Sequence, residues 1–325
     1  VSIIIFLILC VGVLASILIS YGISRPIFHL VEQTKAIDLD QTTVIEVQGP
    51  REILFLGHSL NHMAQRLRRS KQSLEDHKDR LERELYSASQ TQRSLLPEHL
   101  PHPSHLDIAF YWQPAQELGG DFYTTMPVSE TKSVIILGDV VGKGASAAMA
   151  GALTLGLMEL SIRSDSGPDV MLSQLNQHLC ARFNSSQVTV SCTYVVFDHN
   201  SYELAIANAG CIFPIIVREG DLHYVEAPGS PLGLWEKATY DTHKVTLKPN
   251  DLFLLSSDGL VEANNRTREL FGFERLESVL RHIPLQDTAS AVIDQLLSHM
   301  KDFAQGAPLS DDITLIAIRA RDVDI

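Results

Sequence analysis

The first 23 residues, Val1 to Ile23, are almost wholly apolar, and no charged side chain precedes Arg25. As a helix rising ~1.5 Å per residue, such a run reaches roughly 35 Å, enough for a hydrocarbon core of ~30 Å. A secretory signal would show a charged start and a small-residue cleavage site, and both are missing from this stretch. A buried soluble helix would carry a polar face. The pattern therefore predicts a transmembrane helix over residues 1–24. Because the chain starts at Val1 inside that run, a longer N-terminal region, an extracytoplasmic sensor, is expected ahead of it.

Past the apolar run the period changes. Ser24-Arg25-Pro26-Ile27 is expected to open a short helix with Pro in its first turn, and Ile27, Leu30, Thr34 and Ile37 fall at a/d spacing. An extended connector follows over Thr42 to Gln48, carrying Val44, Ile45 and Val47. Gly49-Pro50 breaks it, and Glu52 starts a second helix with Ile53, Leu56, Leu60, Met63 and Leu67 again at a/d spacing. That helix has no obvious stop. Leu60, Leu67, Leu74, Leu81, Ala88 and Leu95 recur at heptad spacing, which predicts a coiled coil that Pro97 and Pro101 end. The companion layer is polar: Ser70, His77, Glu84 and Thr91. Such a seam is either a poorly made coiled coil or one poised between two packings.

Beyond Pro103, strand patterns occupy 105–112, 133–138, 188–197, 202–208, 213–217, 252–256 and 313–319. Helix patterns occupy 144–161, 168–183, 273–282 and 287–304. Strands cluster among paired helices without β-α-β alternation, so the fold class is α+β.

Length and charge narrow the picture. The 325 residues leave room for a domain of about 200 residues plus an N-terminal apparatus. Residues 25–100 balance their charges, whereas 101–325 hold 15 basic and 28 acidic side chains. That domain disfavours nucleic acid, and it would repel a phosphoprotein unless bound cations inverted the local field. Arg25 and Lys35 favour the cytoplasmic side for the segment after the helix. Cys10, Cys180, Cys192 and Cys211 show no CxxC spacing and read as reduced, mostly buried thiols.

Four aspartates carry the chemistry: Asp121 in Gly119-Gly120-Asp121-Phe122, Asp139 in Leu137-Gly138-Asp139-Val140, Asp258 in Ser256-Ser257-Asp258-Gly259, and Asp311 in Ser310-Asp311-Asp312-Ile313-Thr314. Each sits in a short turn at the end of an apolar run. Any one alone reads as a turn residue. Carboxylates at strand ends can converge, however, and converging carboxylates raise each other's pKa values unless a cation sits among them. Oxygen donors of this kind suit Mg²⁺ or Mn²⁺. Two competing chemistries fail on sequence. Cys211 is followed by Ile212-Phe213-Pro214, not by an Arg-rich phosphate loop. Lys143 stands one residue too close to Gly138 for a P-loop, and Gly144 replaces the Ser or Thr that motif needs.

These blocks together bring a resemblance. GGDFY (Gly119 to Tyr123), GDVVGKGASAAM (Gly138 to Met149), ANAG (Ala207 to Gly210), PLGL (Pro231 to Leu234), SDGLVEA (Ser257 to Ala263), FGFERL (Phe271 to Leu276) and SDDITLIAIR (Ser310 to Arg319) occur in order. The segment from about Asp107 to Ala320 resembles the metal-dependent, protein phosphatase 2C-like serine/threonine phosphatases, in the bacterial branch typified by RsbU and SpoIIE. Helix, Gly-Pro connector, Glu and helix resemble a HAMP signalling module, a parallel four-helix bundle made by two chains. The resemblance implies an αββα sandwich of two antiparallel sheets with helices outside both. With the apolar run and the heptad, the expected organisation is a transmembrane helix over 1–24, HAMP over 25–69, a coiled-coil linker over 70–100 and a phosphatase domain over 104–321.

The resemblance also implies two ions, Mn²⁺ or Mg²⁺, that bind phosphate oxygens and activate a bridging water. Asp139 bridges them, the Val140 carbonyl contributes to one site, Asp258 and Asp311 hold one ion, and Asp121 supports the second. Asp139 and Asp258 are then catalytic through the bound water, and Asp312 is a weaker candidate. The implied substrate is a phosphorylated anti-anti-sigma protein, the implied assembly a homodimer through HAMP and coiled coil, and the implied place a bacterial inner membrane with the catalytic domain cytoplasmic. Three positions depart from the family pattern: Thr124 replaces a second acid, Cys211 a histidine, and Val141 a serine. A phosphatase-like scaffold without turnover is the alternative, and a HAMP-coupled kinase or cyclase would need an ATP signature that no block after the linker supplies.

Overall fold

The computed structural model describes residues 2–35, 46, 48–97, 106–162, 166–183 and 188–321. Ile37, most of the 42–48 connector, Pro101 and Pro103 lie outside the described residues. The chain divides into two compact units, Val1–Glu84 and Leu85–Ile325.

In the first unit, α1 (Ser2–Ile19) continues through a π-helical turn (Ser20–Ser24) into α2 (Arg25–Lys35). The helix expected to open afresh at Ser24 is thus a continuation. The widened turn, in which the Arg25 N–H donates to the Ser20 carbonyl, lies where Pro26 removes one amide and its ring would press on the Gly22 carbonyl. Among the described residues, one helical stretch, Ser2–Gln33, is long and apolar enough to cross a membrane, with a mean hydropathy of 3.1 over its apolar window. None of α1 is buried by the rest of the chain. α3 (Arg51–Leu95), 45 residues long, begins in this unit and ends in the second. Near its start Ile53 and Leu30 bury against each other with Leu60 alongside. Farther along, Leu67, Leu74, Leu81 and Leu95 stand exposed, the apolar edge of the expected seam.

The second unit is the expected sandwich. One sheet has the order β1 (Leu106–Gln113), β10 (Ile313–Ala320), β9 (Leu252–Ser256), β6 (Ile215–Arg218), β7 (Asp221–Tyr224). The other has the order β2 (Phe122–Pro127), β3 (Lys132–Val140), β4 (Val190–Asp198), β5 (Glu203–Ala209), β8 (His243–Thr246). Every ladder is antiparallel. Strand alternation sorts the apolar residues. Phe253, Leu255, Ile316 and Ile318 join Ile135, Leu137, Val195 and Ile206 in the core between the sheets. Leu252, Leu254, Leu315 and Ala317 face the other way, onto α6 (Gly272–Arg281) and α7 (Ala289–Ala304). α4 (Ala145–Ser161) and α5 (Pro168–Phe183) cover the outside of the second sheet through Leu155, Met158, Leu172 and Leu179. β2, β7 and β8 were not expected. Their sequences FYTTMP, DLHY and HKVT are short and half polar, as suits strands at sheet edges.

Candidate metal centre

The four aspartates come from both sheets. Asp139 is the second-last residue of β3, in phase with Ile135 and Leu137, so it stands on the face turned toward the opposite sheet. Its neighbour Gly138 is on the other face, where a Cβ would lie 2.3 Å from the Phe122 ring; only glycine fits there. Asp121 immediately precedes β2. Asp258 follows β9 and opens a single 3₁₀ turn, Asp258–Leu260, and Asp311 lies in the turn that leads into β10.

The turns are braced against one another. A Cβ on Gly259 would sit 1.9 Å from the Asp312 carbonyl oxygen, so the turn after Asp258 presses its backbone onto the Asp311-Asp312 turn. The Ser257 hydroxyl donates to that same carbonyl at 3.2 Å and accepts from the Thr314 N–H at 2.9 Å. Asp312 reaches across to the other sheet. Its buried carboxylate accepts from the N–H groups of Ala115 (2.7 Å), Gly120 (2.6 Å) and Asp121 (3.3 Å). The Thr314 hydroxyl donates to the Asp121 carboxylate at 2.5 Å, and Trp112 Nε1 donates to the Asp121 carbonyl at 3.1 Å. Gly120 packs against the Val140 carbonyl, which would be 2.8 Å from an added Cβ. From the end of α3, Gln92 donates to the Gly119 carbonyl at 2.7 Å and accepts from the Gly119 N–H at 3.2 Å.

Electrostatically the cluster is under stress. Asp121 is only 2% exposed; burial first, then the charge of Asp139, holds its carboxyl well above the usual range. Burial and then Asp258 push Asp139 up to about 7, against a hydrogen bond with Asp121 that pulls the other way. Asp258 is raised by burial, then by Glu262 and Asp311. Among the described residues, Lys143 touches the group: its Nζ lies 3.1 Å from Asp311 Oδ2 and also donates to the Ser310 carbonyl. Carboxylates that raise each other in this way are relieved by a bound cation, and an all-oxygen donor set matches Mg²⁺ or Mn²⁺. The side chains stand open: among the described residues, no group of three His, Cys, Asp or Glu closes on a single ion position. The donor chemistry fits divalent metal, and the cage is not preformed.

The structure brings Asp139 into electrostatic range of Asp121, Asp258 and Asp311, and Asp258 into range of Asp311, with Val140, next in sequence to Asp139, buried. Cys211 is near too, but burial, then Asp139, Asp121 and Asp258, push its thiol up, the opposite of what a thiolate nucleophile needs. Thr124 is buried within β2, and Val141 is exposed. Lys143 pairs with Asp311, a role that its sequence context does not signal. The bracing by Asp312, Thr314 and Gln92 is carried by no sequence motif. The second aspartate of Asp311-Asp312 offered a signal for the first. Nothing near Gln92 signals a partner 27 residues away.

Comparisons with known proteins come to the same region. A family described as "Stage II sporulation protein E (SpoIIE)" matches residues 129–321, which include Asp139, Asp258 and Asp311, and the HAMP domain family matches residues 18–69. Protein IcfG of Synechocystis sp. (strain ATCC 27184 / PCC 6803 / Kazusa) is 26% identical over 340 residues, taking in 94% of this chain and 52% of IcfG. The chain thus spans about half the length of that relative. Phosphoserine phosphatase RsbU of Bacillus subtilis (strain 168) is 25% identical over 254 residues, 77% of this chain and 74% of RsbU. Among solved structures, the SiaA-PP2C domain of Pseudomonas aeruginosa superposes with a TM-score of 0.66 at 23% identity, covering 75% of this chain and 98% of that domain.

Proposed function

This chain belongs to the SpoIIE family and carries a HAMP domain, and from that membership we propose that it is a metal-dependent protein-serine/threonine phosphatase tethered to a membrane. The observation that carries the reading is the cluster of four carboxylates from two sheets, oxygen donors only, whose mutual repulsion calls for divalent cations. Asp139, central to the cluster, would contact two ions, Asp258 and Asp311 one of them and Asp121 the other, with the Val140 carbonyl contributing to one of the two sites. Two divalent ions, Mn²⁺ or Mg²⁺, supply charge neutralisation for a phosphate dianion and acidify water. The chain's own residues hold that charge in place. Asp312 fixes the Gly120-Asp121 backbone, Thr314 orients the Asp121 carboxylate, and Gly259 keeps Asp258 against the Asp311 turn.

The substrate we propose is a phosphoserine-bearing anti-anti-sigma protein, a reading supported by the RsbU relative, whose name specifies phosphoserine. The apolar helix over 1–24 would anchor the chain in the inner membrane, HAMP over 25–69 and the linker over 70–100 would pair two chains, and the domain over 104–321 would act in the cytoplasm. The test uses the chain in detergent micelles. Phosphate release from a phosphoserine anti-anti-sigma protein should require Mn²⁺ or Mg²⁺, stop in EDTA, and vanish in Asp139→Asn and Asp258→Asn. Turnover that survives EDTA or both substitutions would sink the mechanism. Metal binding without turnover on any phosphoprotein would favour the scaffold.

A further inference from the structure

The Gly119-Gly120-Asp121 turn is held mostly from within the sandwich. Asp312 takes the N–H groups of Gly120 and Asp121, Trp112 the Asp121 carbonyl, and Thr314 the Asp121 carboxylate. Gly119 is different. Both of its backbone polar groups go to one side chain on the last turns of α3, the carboxamide of Gln92, at 2.7 and 3.2 Å. On its other side a Cβ would lie 2.5 Å from Asp312 Oδ2, so Gly119 is pinched between the helix and the brace. The helix end is itself seated. Leu96 is buried in the core between the sheets, and the Tyr123 hydroxyl, two residues past Asp121, donates to the Pro97 carbonyl at 3.4 Å. The Tyr123 ring packs on Phe110 of the opposite sheet with centroids 4.9 Å apart. The end of α3 therefore holds the backbone before Asp121, at Gly119, while the residue just past the helix, Pro97, receives the Tyr123 hydroxyl after it.

We propose that Gln92 is a positioning residue for the metal centre: its two hydrogen bonds to Gly119 set where the turn holds the Asp121 carboxylate, and hence how tightly the site binds a divalent ion. This rests on the reading of the aspartates as metal ligands. A carboxamide suits the task because it is one of the few side chains that can donate and accept side by side, as one residue's N–H and C=O demand. Removing an outer support of this kind typically weakens metal binding by about 10- to 100-fold.

The test compares wild type with Gln92→Met, which keeps the length and apolar stem but makes neither bond, with Gln92→Ala, and with Gln90→Ala at an exposed position on the same helix. Mn²⁺ binding to the full chain in detergent is followed by the electron paramagnetic resonance signal of the free ion, alongside urea unfolding. Gln92→Met and Gln92→Ala should each raise the Mn²⁺ concentration for half occupancy at least about 10-fold, with wild-type unfolding midpoints and with Gln90→Ala unchanged. Titrations of Gln92→Met that superimpose on wild type overturn the role. So does a loss of affinity matched by a lowered unfolding midpoint, which would make Gln92 a structural residue. If wild type binds no Mn²⁺ that Asp139→Asn abolishes, the metal reading falls, and this proposal with it. Binding lost in Gln92→Met while wild type cleaves no phosphoprotein would support the proposal and sink only the activity.

Discussion

Asp312→Ala offers the sharpest test of how the site is built. The carboxylate accepts three backbone N–H groups, two of them at 2.6 and 2.7 Å, and the residue is 7% exposed. A hydrogen bond to a charged group contributes about 1.5–3 kcal/mol, and a buried donor left unpaired adds a further penalty. Taking the two short bonds and neglecting the third, at 3.3 Å, the loss comes to about 3–6 kcal/mol. Removing a negative charge beside Asp121 and Asp139 gives part of this back, since Asp312 raises both of their pKa values. A net loss of about 3 kcal/mol is expected, and with a urea slope of roughly 2 kcal/mol/M the midpoint should fall by about 1.5 M. Asp312→Asn retains one acceptor oxygen for donors on two sides and should fall between. The chain has two tryptophans, Trp112 and Trp235, both in the unit from Leu85 onward, so their emission reports that unit alone. Trp112 also touches the braced turn directly. An Ala variant that unfolds at the wild-type urea concentration would refute the view that Asp312 ties the two sheets together at the site.

Three further outcomes are expected. Cys211→Ser should keep most phosphate release, because the thiol is held protonated by burial and by three nearby aspartates; complete loss with Mn²⁺ still bound would reveal a thiol role. In EDTA, the folded Asp139 carboxyl holds its proton up to about 7, against an ordinary value of 3.8, so the folded state binds the extra proton between those values. Its contribution to stability is full below the lower value and is lost as the pH rises through the upper one. Melting temperatures in EDTA should therefore drop from about pH 5 to pH 8 and saturating Mn²⁺ should flatten the drop, whereas a rise in EDTA would contradict the burial argument. Replacing His77 and Glu84 with Leu should tighten a two-chain seam, read as dimer retained on dilution in detergent, and should move basal phosphate release away from wild type. If neither changes, the linker is a passive tether.

The large elements were legible because their patterns are long. The heptad from Leu60 to Leu95 foretold a helix without a stop, and α3 has none. The runs before Asp139 and Asp258 and the run after Asp311 foretold β3, β9 and β10. The π turn at Ser20–Ser24 was not legible, because apolar periodicity carries no mark of one widened turn. β7 and β8, four residues each, are too short for alternation to register. At the site, Asp139, Asp258 and Asp311 could be named because each follows or precedes a strand run, and Asp121 because it closes the Gly119-Gly120 turn. Their braces could not be. Asp312, Thr314 and Gln92 act through partners 27 to 197 residues away, and such pairings depend on how the sheets stack, which no local pattern records.

The stacking has a mechanical consequence. Asp258 and Asp311 belong to one sheet and are cross-braced by Gly259 and Ser257, so they move as one body. Asp139 belongs to the other sheet. Asp121 begins a strand of the second sheet while Asp312 and Thr314 lash it to the first. The gap between Asp139 and Asp258 is thus a gauge of how the two layers sit on each other, and sliding one sheet over the other by a fraction of an ångström would open or close it. The layer of Ile135, Leu137, Phe253 and Ile316 lies between the two bodies, so a change in the volume of these close-packed side chains would change how far apart Asp139 and Asp258 stand.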